Sequence, residues 1–129
     1  MASDRIEFER TFRQADFDRF AELSGDRNPI HVDHDFSART RFGRTVSHGL
    51  LLLTVVRGLL ERLHPGARQL RQNAMFPAPT YADEAMSFSV ETAASEGATR
   101  TVSFRVERCA DHTVTCQGEA ILQLPDQAL

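Results

Sequence analysis

Cysteine is scarce in this 129-residue chain, and so is unbroken hydrophobicity. The two cysteines, Cys109 and Cys116, are too few for a disulfide framework and lack the CxxC spacing of a metal site. They fit a reducing cytosol. The longest apolar run is Leu50 to Leu53, extended by Val55 and Val56 and closed by Arg57. That is far short of the roughly 20 apolar residues a membrane span needs. The stretch from Met1 to Glu7 contains no apolar signal core. Surplus positive charge is also missing: the net charge is −3, which argues against a general nucleic-acid binder. There is no internal repeat, low-complexity tract or linker. With 41% apolar and 26% charged residues, the sequence predicts one globular domain over residues 1–129, soluble and cytoplasmic.

Two periodicities organise what is present. Met86, Phe88 and Val90 alternate with Ser87, Ser89 and Glu91, and Val102, Phe104 and Val106 alternate with Ser103, Arg105 and Glu107. Val114, Cys116, Gly118, Ala120, Leu122 and Leu124 repeat the pattern. A period of two predicts strands, with hairpin turns at Ser95–Ala98 and Ala110–His112. Arg5 to Phe12 forms an expected first strand, and Leu70 to Phe76 a weaker one ended by Pro77-Ala78-Pro79. Phe17, Phe20, Ala21 and Leu23 fall at helical spacing, with Asp16 near the start and Gly25 placed to end the helix. Asp33 to Thr40 predicts a short helix with Asp33 as its N-cap.

The helix expected from Ser47 to Leu63 is apolar nearly all round in its first half, which predicts that other structure wraps it. His64-Pro65-Gly66 stops it. Strands with one apolar face form an antiparallel sheet covered on one side. This helix is the one element long and apolar enough to cover it. The expected fold is therefore α+β, a hot-dog: a curved antiparallel sheet wrapped around a central buried helix.

The chemistry concentrates in Ser24-Gly25-Asp26-Arg27-Asn28-Pro29-Ile30-His31-Val32-Asp33. A carboxylate and an imidazole stand five residues apart, with an amide side chain and a proline between them. Pro29 disfavours the helical region at Asn28, so Asp26 and His31 are expected on an irregular, rigid loop rather than one helix face. Ser47-His48-Gly49 then opens the long helix, whose free amides make a site for negative charge.

Phe20 to Asp33, followed by Phe36-Ser37-Ala38, Thr40-Arg41-Phe42-Gly43 and Val46-Ser47-His48-Gly49, resembles the signature of MaoC-like hot-dog hydratases of the (R)-specific enoyl-CoA hydratase type. The resemblance runs from about Phe20 to Leu53. It implies that Asp26 and His31 carry catalysis, that Asn28 supports the same water site, and that Gly49 supplies an oxyanion-hole amide. Ser47 and His48 are grouped with Gly49 as substrate-binding candidates. Where the family usually has Gly-Asp after the Pro-containing connector, this chain has Ala82-Asp83, and the connector is one residue short.

The implied activity is a hydro-lyase that adds water reversibly to a trans-2-enoyl-CoA to give the (R)-3-hydroxyacyl-CoA. No metal and no redox cofactor is expected; CoA or an acyl-carrier thioester is the substrate's carrier. A single curved sheet around one helix leaves edge strands unpaired and apolar surface open, which predicts a homodimer, and the resemblance implies that the two sheets join edge to edge. The net charge and the short apolar run predict no nucleic-acid and no membrane partner. A hot-dog thioesterase and a non-catalytic acyl-thioester-binding module are the alternatives.

His31-Val32-Asp33-His34-Asp35 looks superficially like a metal cluster but completes no standard metal motif, and His34 and Asp35 are expected on an exposed helix side. Arg39, Arg41 and Arg44 read either as solvated surface or as an attraction for a phosphate-bearing carrier. Cys109 and Cys116 have no adjacent base and read as packed or inert.

Overall fold

The computed structural model describes residues 4–126. The elements are β1 (Arg5–Thr11), α1 (Gln14–Ser24), α2 (Pro29–Val32), α3 (His34–Ala38), α4 (Gly49–Leu63), β2 (Arg68–Met75), β3 (Ala85–Glu96), β4 (Thr99–Arg108) and β5 (Val114–Gln123). The strands form one five-stranded sheet in the order β1-β3-β4-β5-β2, with every neighbouring pair antiparallel. The alternating residues do what their period predicts. Met86, Phe88, Val90, Val102, Val106, Cys116, Ala120 and Leu122 all have no exposed surface. They meet Leu52, Val56, Leu59 and Leu60 of α4 in a single core. Each such large side chain contributes roughly 1.5–3 kcal/mol through burial. A sheet packed on one central helix is the hot-dog arrangement expected from the pattern.

Local chemistry sets the ends of the elements. The Asp16 carboxylate accepts from the Arg13 amide at the start of α1 (2.8 Å), and Gly25 closes that helix in the left-handed region at φ 82°. Asp33 caps α3 by accepting from the Phe36 amide at 3.0 Å. Asp83, which follows Ala82 ahead of β3, adopts φ 67°. Aspartate tolerates this better than most residues. It is anchored by its amide to the Phe12 carbonyl (2.7 Å) and by its carboxylate to Arg13 (2.8 Å).

Three expectations need correction. First, α4 begins at Gly49, not Ser47. Val46 bridges to Tyr81 and the Ser47 amide donates to the Thr80 carbonyl, so the chain before Gly49 is held extended. Second, the first half of α4 is not wrapped all round: Leu50 is 63% exposed. One sheet covers one side of a helix, and among the described residues the flank that carries Leu50 is left largely uncovered. Third, the last strand's alternation breaks at its start. Val106 faces Cys116 while Glu107 faces Val114, so Thr115 is an extra, bulged residue. As a result Thr115 is fully buried and Val114 only partly so.

Two glycines separate packing from propensity. A Cβ at Gly118 would overlap the Asn73 carbonyl and lie 2.9 Å from the Phe104 ring, whereas a Cβ at Gly58 in α4 would meet nothing within 4 Å. Gly118→Ala should therefore cost about 1–3 kcal/mol through overpacking. Gly58→Ala should stabilise by about 0.5–1 kcal/mol by restricting the unfolded chain. Denaturant unfolding of the two variants beside the parent checks both signs.

Candidate active site

The segment from Ser24 to Asp33 folds by hydrogen bonds to its own backbone. The Ser24 hydroxyl accepts from the Asp26 amide, the Asp26 carboxylate from the Asn28 amide, and the Asn28 side-chain oxygen from the Ile30 amide. Such Asx and Ser/Thr turns suit a sequence with proline at its centre. Pro29 then stands at the first position of α2, where its fixed φ is favourable and its missing N–H costs nothing. The expected irregular loop thus contains one helical turn, and that turn carries His31 while Asp26 stays outside it. Asn28 is spent as a cap, its oxygen turned to the backbone.

His31 is buried, with 7% of its surface exposed. Its Nδ1 lies 2.8 Å from the Val46 carbonyl, an acceptor only, so Nδ1 carries the proton and donates. This leaves the Nε2 lone pair directed at the Asp26 side, where Oδ2 stands 3.9 Å away. That distance is too long for a direct hydrogen bond and suits one water held between the two groups. The Asp26 side chain is 51% exposed.

His48 stacks on His31, ring centroids 3.8 Å apart at 25°, and donates from Nε2 to the Asp26 backbone carbonyl at 2.9 Å. Phe20 packs edge-on against the far face of the stack at 4.9 Å. Although sequence groups His48 with the ligand-facing residues, it is 2% exposed and its bond and stack brace the Asp26 turn. The Ser47 hydroxyl donates to the His48 carbonyl (2.9 Å).

Gly49 begins α4 beyond this pair. Neither its amide nor that of Leu50 meets a backbone or side-chain acceptor among the described residues, and His48 supplies no side-chain cap. Free N–H groups at the positive end of a 15-residue helix favour a partial negative charge. The close neighbour that a glycine here accommodates is the Phe76 ring, whose nearest atom would lie 2.8 Å from a Cβ at Gly49. A cavity of about 680 Å³ adjoins this point, walled by Val46, Ser47, Gly49, Leu52, Phe76 and Thr80 among others.

Several positioning residues escaped the sequence reading. Gln14 donates to the His31 carbonyl (2.9 Å) and accepts from the Thr45 hydroxyl (2.6 Å), tying α1 to both sides of the site. Tyr81 donates to the Phe42 carbonyl (2.9 Å) and lies 4.1 Å beneath the Arg44 guanidinium. Of the arginines near the loop, Arg44 is thus committed, also pairing with Glu84 at 2.9 Å, while Arg39 and Arg41 are exposed with no ion pair among the described residues. No local pattern marks Gln14 or Tyr81, because their partners lie 17 to 39 residues away.

His34 and Asp35 are exposed and take no part. The one constellation with metal-ligand spacing among the described residues is Asp26, His31 and His48, with donor atoms within 4.8 Å of one another. It does not fit a shared ion. A metal sits in the plane of each imidazole that binds it, about 2.0–2.1 Å from nitrogen. Two rings stacked 3.8 Å apart and tilted by 25° share no in-plane point within that distance. Cys116 is also unsuited to chemistry, since burial pushes its thiol up to about 11.

Burial dominates the electrostatics of His31. It lowers the imidazole below its ordinary 6.5, and His48 adds to this, while the Val46 carbonyl and Asp26 oppose it. His31 is therefore neutral at pH 7, with Nε2 free to accept a proton. Its folded-state value lies below its unfolded one, so its stabilising contribution is complete above about 6.5 and is lost as pH falls from there through the folded value. Ring proton and nitrogen resonances should report a midpoint below 6.5 and an Nδ1–H tautomer above it. A midpoint at or above the ordinary value would mean that burial does not govern this group.

The family model of the MaoC like domain matches residues 3–113. The chain is 35% identical over 108 residues to a 3-hydroxybutyryl-CoA dehydratase of Methylorubrum extorquens, covering 82% of this chain and 69% of that protein. It is 32% identical over 120 residues to the (R)-specific enoyl-CoA hydratase of Aeromonas caviae, covering 90% and 89%. The solved (R)-hydratase from A. caviae superposes with a TM-score of 0.89 over 97% of each chain, at 29% identity. With this fold, this loop and these relatives, the chain belongs to the MaoC-like family of hot-dog proteins.

Proposed function

We propose that this protein is a hydro-lyase that interconverts trans-2-enoyl-CoA and (R)-3-hydroxyacyl-CoA. The observation that carries the reading is the 3.9 Å gap between Asp26 Oδ2 and the unprotonated Nε2 of His31. Two proton acceptors facing one water align its oxygen lone pair outward, toward an incoming alkene carbon. The names of the two relatives describe opposite directions of one reversible addition of water.

In the hydration direction, the thioester carbonyl oxygen accepts from the Gly49 amide, which stabilises the negative charge that develops there. The held water attacks Cβ as the Asp26–His31 pair takes one of its protons. The alkene electron pair moves toward Cα and the carbonyl, forming an enolate-like state. The same proton is then returned at Cα, so H and OH are added and the pair is restored. Dehydration retraces these steps. The reading assigns no metal or redox cofactor, and the CoA thioester serves as the substrate's carrier. Loss of the conjugated thioester's absorbance on a panel of enoyl-CoA chain lengths tests it. Thiol release from a saturated acyl-CoA, with no hydration, would point instead to thioester hydrolysis.

The working form in this reading is a homodimer. β2 is an edge strand, paired with β5 alone, and Leu50, Leu70, Met75 and Phe76 expose between 46% and 63% of their surface. Edge pairing about a two-fold axis covers both liabilities. It also gives a way to shield Asp26, half open to solvent in one chain. Light scattering at micromolar concentration should give twice the mass of the 14.5 kDa chain.

Asp26→Asn should fold and lose hydration on the order of a hundred- to ten-thousand-fold, because an amide cannot accept the water's proton. His31→Ala should lose a similar amount. Combining the two should be little worse than either alone, since both act on one water. Steady-state assays on all three variants decide it; fully multiplicative losses would rule out the shared water.

Gly49→Ala separates the amide's role from packing. Its methyl meets the tip of the Phe76 ring, the far end of a side chain rather than backbone, so the melting temperature should change little. Turnover should fall far more, since oxyanion stabilisation is worth about 2.7–4 kcal/mol of barrier. Unchanged turnover in a destabilised protein would remove Gly49 from the reaction.

A further inference from the structure

A second cavity lies apart from the Asp26–His31 site, between β1, α1 and α4. Its volume is about 590 Å³, within the range of small-molecule sites. Its walls are Phe8, Phe12, Phe20, Leu23, Leu51 and Val55. On α4 the lining residues Leu51, Val55, Gly58 and Arg62 follow one helical stripe, which is turned away from the β2 edge. Gly58 leaves that stripe without a side chain at its centre. At the cavity's edge Leu23 of α1 is 85% exposed, an unusual position for a large apolar side chain.

The charge around this apolar cleft has one dominant sign. Arg10, Arg19 and Arg62 line it, all three are exposed, and none forms an ion pair among the described residues. Asp16 is the only acid in the lining, and its carboxylate already accepts from the Arg13 amide. The whole chain carries a net −3, so this cluster is not a consequence of bulk composition. A second copy of the chain is a poor occupant. A two-fold contact through this face would bring six arginines into one interface whose lining offers a single acid from each copy, Asp16. An apolar cleft with a guanidinium rim is instead complementary to a chain-like molecule with an anionic head. Guanidinium binds a carboxylate through two parallel hydrogen bonds.

We propose that this cleft binds an alkyl carboxylate, that is, a free fatty acid. The tail lies among the phenylalanines and leucines, and the carboxylate sits at Arg10, Arg19 and Arg62. One wall is Phe20, whose ring packs on His48 of the imidazole stack, so the bound tail lies against the support of the Asp26–His31 site. The proposal does not depend on the hydro-lyase reading, and its test uses no turnover.

The probe is decanoate, titrated into the full chain by calorimetry well below its micelle concentration, with decan-1-ol as the neutral control. Saturable binding of one decanoate per chain is expected, at least tenfold tighter than decan-1-ol. Arg19→Glu combined with Arg62→Glu should weaken decanoate at least tenfold at an unchanged melting temperature, both positions being on the surface. Leu51→Trp, which fills the cleft, should abolish binding. If that variant does not fold, the arginine pair decides alone. Absence of saturable binding, equal affinity for the alcohol, or decanoate affinity unaffected by the arginine reversals would overturn the proposal. So would a change in oligomeric mass caused by those reversals, which would give the cleft to a second copy.

Discussion

The site depends on one buried hydrogen bond, from His31 Nδ1 to the Val46 carbonyl at 2.8 Å. It determines which ring nitrogen carries the proton, and so leaves Nε2 as an acceptor facing Asp26. It also opposes the effect of burial on the imidazole without overcoming it. A buried donor that lost this acceptor would go unsatisfied, at a cost of about 1–3 kcal/mol. The constraint is reciprocal, since the Val46 amide donates to the Ile30 carbonyl at 2.9 Å and so locks the two segments in register.

Val46 is itself held from the other side. It bridges to Tyr81, which is linked to Phe42 and lies under Arg44. Arg44 pairs with Glu84, and Glu84 with Arg108 at the end of β4 (3.0 Å). Position passes from the rigid sheet, through an aromatic ring between cations, to the carbonyl that orients the imidazole. On the opposite side, α4 extends from the same segment into the core. Its buried residues fix the helix axis, and so fix where the Gly49 and Leu50 amides point. Loop, connector and helix are therefore three supports of one site.

Much of this could be read from the chain because it is local or periodic. The strand period placed β3, β4 and most of β5, and the caps at Asp16, Gly25 and Asp33 could be read from residue type alone. The loop's composition alone, a carboxylate, an amide and an imidazole around a proline, equally suits turns, caps and a satisfied histidine, and it was the resemblance to the family that singled the loop out as a candidate site. The failures were equally physical. An extended segment and a helix start look alike when the deciding bonds, to Thr80 and Tyr81, are 33 to 35 residues away. The bulge at Thr115 inserts one residue into a period-two pattern, and no local residue type announces it.

By itself, the sequence determined the sheet's inward face and the identity of the central helix, and its resemblance to the family nominated Asp26, His31 and Gly49 as the candidate site. The first two follow from side-chain periodicity and backbone propensity, which act over a few residues. Only the tertiary structure decided how those groups are used: the tautomer of His31, the stacking of His48, the 3.9 Å gap to Asp26 and the exposure of one flank of α4. Each of these depends on contacts between segments far apart in the chain, so distance in space, rather than order in sequence, carries the information.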